Sequence, residues 1–123
     1  MDAQKSFNYT LSHKNKMLVV SFTGELSPGV VPGLEACRLE VLAKKDDVKC
    51  IVLYFQGVSS VSPDAITVLA QMQREFRSSG MDLRLCALKE ALRDKLIRMG
   101  IVRGMECTED LKTALLSFGR QAA

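Results

Sequence analysis

The amino-acid sequence predicts an α/β fold: a mixed β-sheet of four to five strands carrying about four α-helices. Three observations predict it. Two stretches with strand-like apolar patterning, Phe7 to Leu11 and Met17 to Phe22, flank a short polar turn, as in a hairpin. The continuous apolar run Cys50-Ile51-Val52-Leu53-Tyr54-Phe55 fits a strand covered on both faces at the centre of a sheet. Through the second half, helical spacing alternates with short strand-like runs, the pattern of parallel strands joined by right-handed helical crossovers.

The elements follow in order. Phe7, Tyr9 and Leu11 alternate with Asn8, Thr10 and Ser12, and His13-Lys14-Asn15-Lys16 supplies the turn into Met17–Phe22. Thr23-Gly24-Glu25-Leu26-Ser27-Pro28-Gly29 is rich in turn formers and reads as a connection. Leu34, Cys37, Val41 and Leu42 recur at helical spacing, which predicts a first helix from about Pro32 to Ala43. The central strand, 50–55, leaves through a loop at Gln56 to Val61. Ile66, Leu69, Met72 and Phe76 then share one face of a second helix from about Pro63 to Ser78, closed by Ser78-Ser79-Gly80. Leu83-Arg84-Leu85-Cys86 gives the next strand. Leu88, Leu92, Leu96 and Met99 mark a third helix ending at Gly100. An extended piece is expected at Ile101-Val102, and a last helix at Leu111 to Phe118 with Thr108 as its N-cap. Met72, Met81, Met99 and Met105 are expected to pack in the core or at its rim.

At 123 residues, with 47% hydrophobic and 25% charged residues, the chain is expected to form one domain with a core at about 7–118. The longest uncharged stretch, from Cys50 up to but not including Asp64, is too short and too interrupted to span a bilayer. Met1 to Lys5 has no basic segment followed by an apolar run. A cytoplasmic protein without membrane insertion is expected. The net charge of +3 does not argue for direct nucleic-acid binding, and no aromatic between Phe76 and Phe118 offers a base-stacking platform beside the basic third-helix region. There, Lys89, Arg93, Lys95, Arg98 and Arg103 outnumber Glu90 and Asp94, which suits a solvated face or a rim contact for an acidic partner.

Catalytic readings are thin. Cys37, Cys50, Cys86 and Cys107 form no C-x-x-C pair, so no metal site is expected, and the single histidine, His13, sits in a polar turn. The glycines at Gly24 and Gly57 lack the density and the lysine of a phosphate-binding loop, and no cofactor is implied. A cysteine enzyme built on Cys37 or Cys107 would lack a base nearby in sequence.

The informative segment is Gly57-Val58-Ser59-Ser60-Val61-Ser62-Pro63-Asp64-Ala65-Ile66-Thr67-Val68-Leu69. Ser62 as N-cap, Pro63 at the first helical position and Asp64 in the first turn make a complete helix start. The same free N–H groups and positive dipole end would tolerate phosphate on a nearby hydroxyl.

With Thr23-Gly24-Glu25-Leu26, the loop from Gly57, the helix from Ala65 and the Gly100-Ile101 turn in this order, the chain resembles the STAS domain of bacterial anti-sigma factor antagonists from about Phe7 to Phe118. The resemblance implies a non-enzymatic regulator of transcription that binds an anti-sigma factor, often itself a serine kinase. In that family the second helix opens on D-S-S-G-L, and phosphate on its first serine breaks the complex.

Residue by residue, the match departs from the pattern. Ser27 stands where an Asp usually follows T-G-E-L. Ser62 takes the place of the loop Asp, Pro63 of the acceptor serine, Asp64 of the second serine and Ala65 of the glycine. Proline has no hydroxyl to phosphorylate. Asp64 then supplies a permanent carboxylate, or Ser62 or a neighbouring serine accepts phosphate in a shifted register, or the switch is absent. The partner surface expected from the resemblance comprises Ser27, Ser59, Ser60, Ser62, Pro63 and Asp64, and it leaves homo-oligomerisation open. The alternative is a non-phosphorylated subunit of a larger assembly, such as a lipid-transport ATPase complex.

Overall fold

A computed structural model describes residues 7–122. The element order is β1 (Asn8–Lys14), β2 (Met17–Leu26), a 3-10 turn (Pro28–Val30), α1 (Val31–Leu42), β3 (Cys50–Val61), α2 (Pro63–Ser78), β4 (Asp82–Cys86), α3 (Glu90–Arg98), a second 3-10 turn (Gly104–Glu106), β5 (Cys107–Thr108) and α4 (Leu111–Ala122). Five strands form one mixed sheet in the order β1-β2-β3-β4-β5; β1 and β2 are antiparallel and every other pair is parallel. The expected α/β mixed sheet with four helices is the observed fold.

The pattern of β3 explains its central place. Ile51, Leu53 and Phe55 belong to the main core, with Leu18, Val20 and Phe22 of β2, Leu34, Cys37 and Val41 of α1, and Ile66, Leu69, Met72 and Phe76 of α2. Val52 belongs instead to a smaller cluster with Cys86 of β4 and Ala114 and Phe118 of α4. Alternate side chains therefore enter two apolar layers, and the strand reads as an unbroken run because both faces are largely covered. Arg38 of α1 bridges Glu35 (2.6 Å) and Glu75 of α2 (2.5 Å), clamping the two helices that cover the main core.

Four expectations are corrected. Thr23 to Leu26 is strand, not turn: Phe22, Gly24 and Leu26 are buried on alternate positions, and β2 runs to Leu26. Residues 56–61 are not a loop but the second half of β3, paired to β2 from Thr23↔Gly57 to Leu26↔Val61 with two register shifts. Gly57 permits this approach, because a Cβ there would lie 2.8 Å from Thr23 Cγ2 and 3.1 Å from the Phe22 carbonyl oxygen. Ile101-Val102 forms a bend whose buried side chains seal the end of α3; the Ile101 N–H donates to the Leu96 carbonyl (3.0 Å), Gly100 takes a φ of 75°, and the fifth strand lies at Cys107–Thr108. Asp110, not Thr108, caps α4: its Oδ1 accepts the Thr113 N–H (2.8 Å), while the Thr108 hydroxyl donates to the Asp110 carbonyl.

The methionines divide. Met72 and Met81 are buried, whereas Met99 and Met105 are 54% and 61% exposed and pack in no core. The hairpin turn is also tighter than expected, with His13 and Lys14 still in β1 and Asn15 at a φ of 57°.

Candidate functional site

The junction of β3 and α2 forms because local chemistry and the sheet agree on it. Leu26 pairs with Val61, and the Ser62 N–H donates to the Leu26 carbonyl (2.8 Å), so the chain leaves the sheet beside the end of β2. Ser62 is extended (φ −78°, ψ 161°) and its Oγ accepts the Ala65 N–H (3.2 Å), closing one free donor of the helix end. Pro63 holds the first helical position, and Asp64 in the first turn meets the positive end of the helix dipole. Ala65 and Ile66 turn into the core, which leaves Pro63 and Asp64 exposed at the tip.

Ser27 opens the 3-10 turn after β2, where its carbonyl accepts the Val30 N–H (3.1 Å) and its side chain makes no cap. The Leu26–Ser62 hydrogen bond brings it to the same end of the sheet as Ser62, Pro63 and Asp64. Ser59 and Ser60 lie further back, exposed on β3. The Ser59 carbonyl accepts from Lys89 Nζ (2.8 Å), and Ser60 stands opposite Glu25 of β2. A depression of 220 Å³ at this point is bordered by Val58, Ser59, Ser60, Lys89, Leu92 and Lys95. By sequence Lys89 belongs to a basic stretch that suits a solvated face or a rim contact for an acidic partner. Its contact spans 30 positions, and no local pattern announces it.

The cysteines carry little nucleophilic character. Burial pushes the Cys37 thiol up to about 12, with Glu40 adding to the effect, and burial followed by Asp110 does the same for Cys86. Cys50 and Cys107 are also raised, chiefly by burial. A thiol with a pKa of about 12 is ionised in roughly one molecule in ten thousand at pH 8. Iodoacetamide at that pH is therefore expected to leave Cys37 and Cys86 unmodified in the native protein over a time that labels all four thiols in urea. Mass spectrometry reads the outcome, and native labelling of Cys37 at the urea rate would contradict it. Among the described residues no group of three or more His, Cys, Asp or Glu side chains converges on a metal-binding geometry.

The sequence model of the STAS domain matches residues 8–114. The chain belongs to the STAS domain family. Among solved structures, this STAS domain is similar to an anti-sigma factor antagonist from Mycobacterium paratuberculosis, with 20% identity over 91% of this chain and 93% of that one and a TM-score of 0.77. The anti-sigma factor antagonist SpoIIAA in its unphosphorylated form gives 15% identity, coverage of 93% and 97%, and a TM-score of 0.72. The murine anion transporter Slc26a9 contains the same fold, at 17% identity and a TM-score of 0.68; the match covers 98% of this chain and 22% of the transporter. At these identities the likeness is one of fold. A comparison with curated proteins finds no sequence match. Among the described residues no helix is long and apolar enough to cross a membrane.

Proposed function

We propose that this STAS domain is a non-enzymatic protein-binding regulator of the anti-sigma factor antagonist type, which docks an anti-sigma factor or related serine kinase with the start of α2. The observation that carries the reading is the exposed Pro63-Asp64 tip, fixed by the Ser62 cap and flanked by Ser27; the resemblance assigns Pro63 the place of the family's switch serine. Pro63 offers no acceptor hydroxyl, and Asp64 gives the tip a permanent charge. A carboxylate carries about one charge where phosphate carries nearly two, with fewer acceptor oxygens, so the tip is a weak copy of the phosphorylated state.

Titration calorimetry against anti-sigma serine kinases of the source organism tests the reading. Binding is expected, and Asp64→Ser is expected to tighten it by about 1 kcal/mol, roughly fivefold, through removal of an unfavourable rim charge. The fold is retained in that variant, because a first-turn Asp contributes only about 0.3–1 kcal/mol through the helix dipole. No binding by either form would remove the antagonist reading.

The missing hydroxyl also favours a second reading, a STAS subunit that serves without phosphorylation in a larger assembly such as a lipid-transport ATPase complex. Co-purification with a transporter ATPase, and an affinity for it unchanged by Asp64→Ser, would select this one.

A further inference from the structure

A groove of 540 Å³ runs between α2 and the end of α3, bordered by Pro63, Thr67, Gln73, Arg74, Lys95 and Met99. Its floor is apolar, with Ile66 buried and Ala70 half-buried, and Met99 stands 54% exposed at its end. Arg74 on one wall and Lys95 on the other form no ion pair among the described residues. The two acids of α3 are engaged by Arg93 instead, Asp94 at 3.3 Å and Glu90 at 3.9 Å. Among the described residues no carboxylate lines the groove. Gln73 is only 6% exposed, and its Oε1 finds no hydrogen-bond donor among the described residues.

Each feature is costly or idle in the free domain. Buried acceptors are almost always paired, exposed apolar side chains rimmed by polar groups mark contact surfaces, and methionine adapts its shape to an incoming chain. We propose that this groove takes an acidic amphipathic segment of a partner protein. Its aliphatic side chains lie over Ile66, Ala70 and Met99, its carboxylates pair with Arg74 and Lys95, and an N–H group reaches Gln73 as the amide turns outward. Among the described residues no aromatic side chain lines the groove, so a nucleobase finds no stacking surface on them. The groove begins at Pro63, beside the Asp64 tip, but it does not depend on a phosphoswitch.

The test uses the full chain, labelled with 15N, and two synthetic helical peptides of about 14 residues, one of leucine and glutamate and one of leucine and lysine in the same register. The acidic peptide is expected to shift amide signals within 64–74 and 95–101, to lose about fivefold in affinity as salt is raised to about 0.3 M, and to leave the Arg74→Glu/Lys95→Glu variant unshifted. That variant's own spectrum, native outside the groove, establishes that it is folded. Gln73→Met is expected to weaken the peptide about threefold through loss of the amide acceptor. The proposal is overturned by no shifts, by shifts on another face, by equal response to the basic peptide, or by displacement from the same amides with oligo(dT).

Discussion

Replacing Pro63 by serine is expected to convert a position that takes no phosphate into one that takes a single phosphate, when the protein is incubated with ATP and an anti-sigma serine kinase. Proline at this position has no hydroxyl, so the wild-type rate there is zero and the expected change is all-or-none. The position is exposed at the first residue of α2. Serine adopts helical geometry there without strain, and the Ser62 cap on Ala65 remains in place. The cost in stability is about 0.4–1 kcal/mol, from the greater freedom of the unfolded chain once the proline ring is gone. Free N–H groups and the dipole of α2 would hold the new phosphate, while the neighbouring Asp64 carboxylate would oppose it. Pro63→Ser/Asp64→Ser should therefore be phosphorylated more completely than Pro63→Ser. Intact mass followed by tandem fragmentation locates the group. In the wild type, phosphate is expected nowhere or on Ser59, Ser60 or Ser62. Phosphate mainly on Thr67, or none gained by Pro63→Ser, would sink the register argument.

How far the sequence could be read depended on the range of the forces involved. The start of α2 was legible because Ser62, Pro63 and Asp64 satisfy one helix end with neighbours only. The first half of β3 was legible because burial on both faces writes itself into composition. Its second half was not: Gln56, Gly57, Ser59 and Ser60 have turn-like chemistry, and what makes them strand is the edge of β2, more than 30 residues away. The same holds for β5, two residues long, whose extended shape is set by Leu85 and Cys86 of β4. Thr108 and Asp110 both suit an N-cap, and pairing in the sheet decides between them by claiming Thr108. At the site, Ser27 could be named from sequence, but its place beside Ser62 follows from a backbone hydrogen bond across strands. The groove between α2 and α3 was invisible, since Gln73 sits in the buried half of its helix and only the tertiary fold leaves its oxygen without a donor.

Glu106→Ala should be among the most destabilising single substitutions outside the apolar core. Glu106 is 6% exposed in the 3-10 turn before β5, where its carboxylate accepts from Arg77 near the end of α2 and from the Arg103 N–H (2.9 Å). One side chain thus ties the C-terminal end of α2 to the segment that presents the fifth strand. Alanine removes both bonds and leaves the Arg77 guanidinium without its carboxylate, while Arg77 Nε already lacks a partner among the described residues. Removing one member of a buried pair costs about 3–5 kcal/mol. Arg77 retains 29% exposure of its side chain and can turn partly to water, which puts the expected loss near the lower limit, about 3 kcal/mol. Glu106→Gln keeps an acceptor for the Arg103 N–H and loses only the charge, so about 1–2 kcal/mol is expected. Urea unfolding reads both values as a fall in midpoint at constant slope. The order of the two variants carries the argument: equal losses would mean that the charge on Glu106, and not its acceptor geometry, holds the turn against α2. A loss under about 1 kcal/mol for Glu106→Ala would mean that β5 stays docked through its backbone ladder to β4 alone.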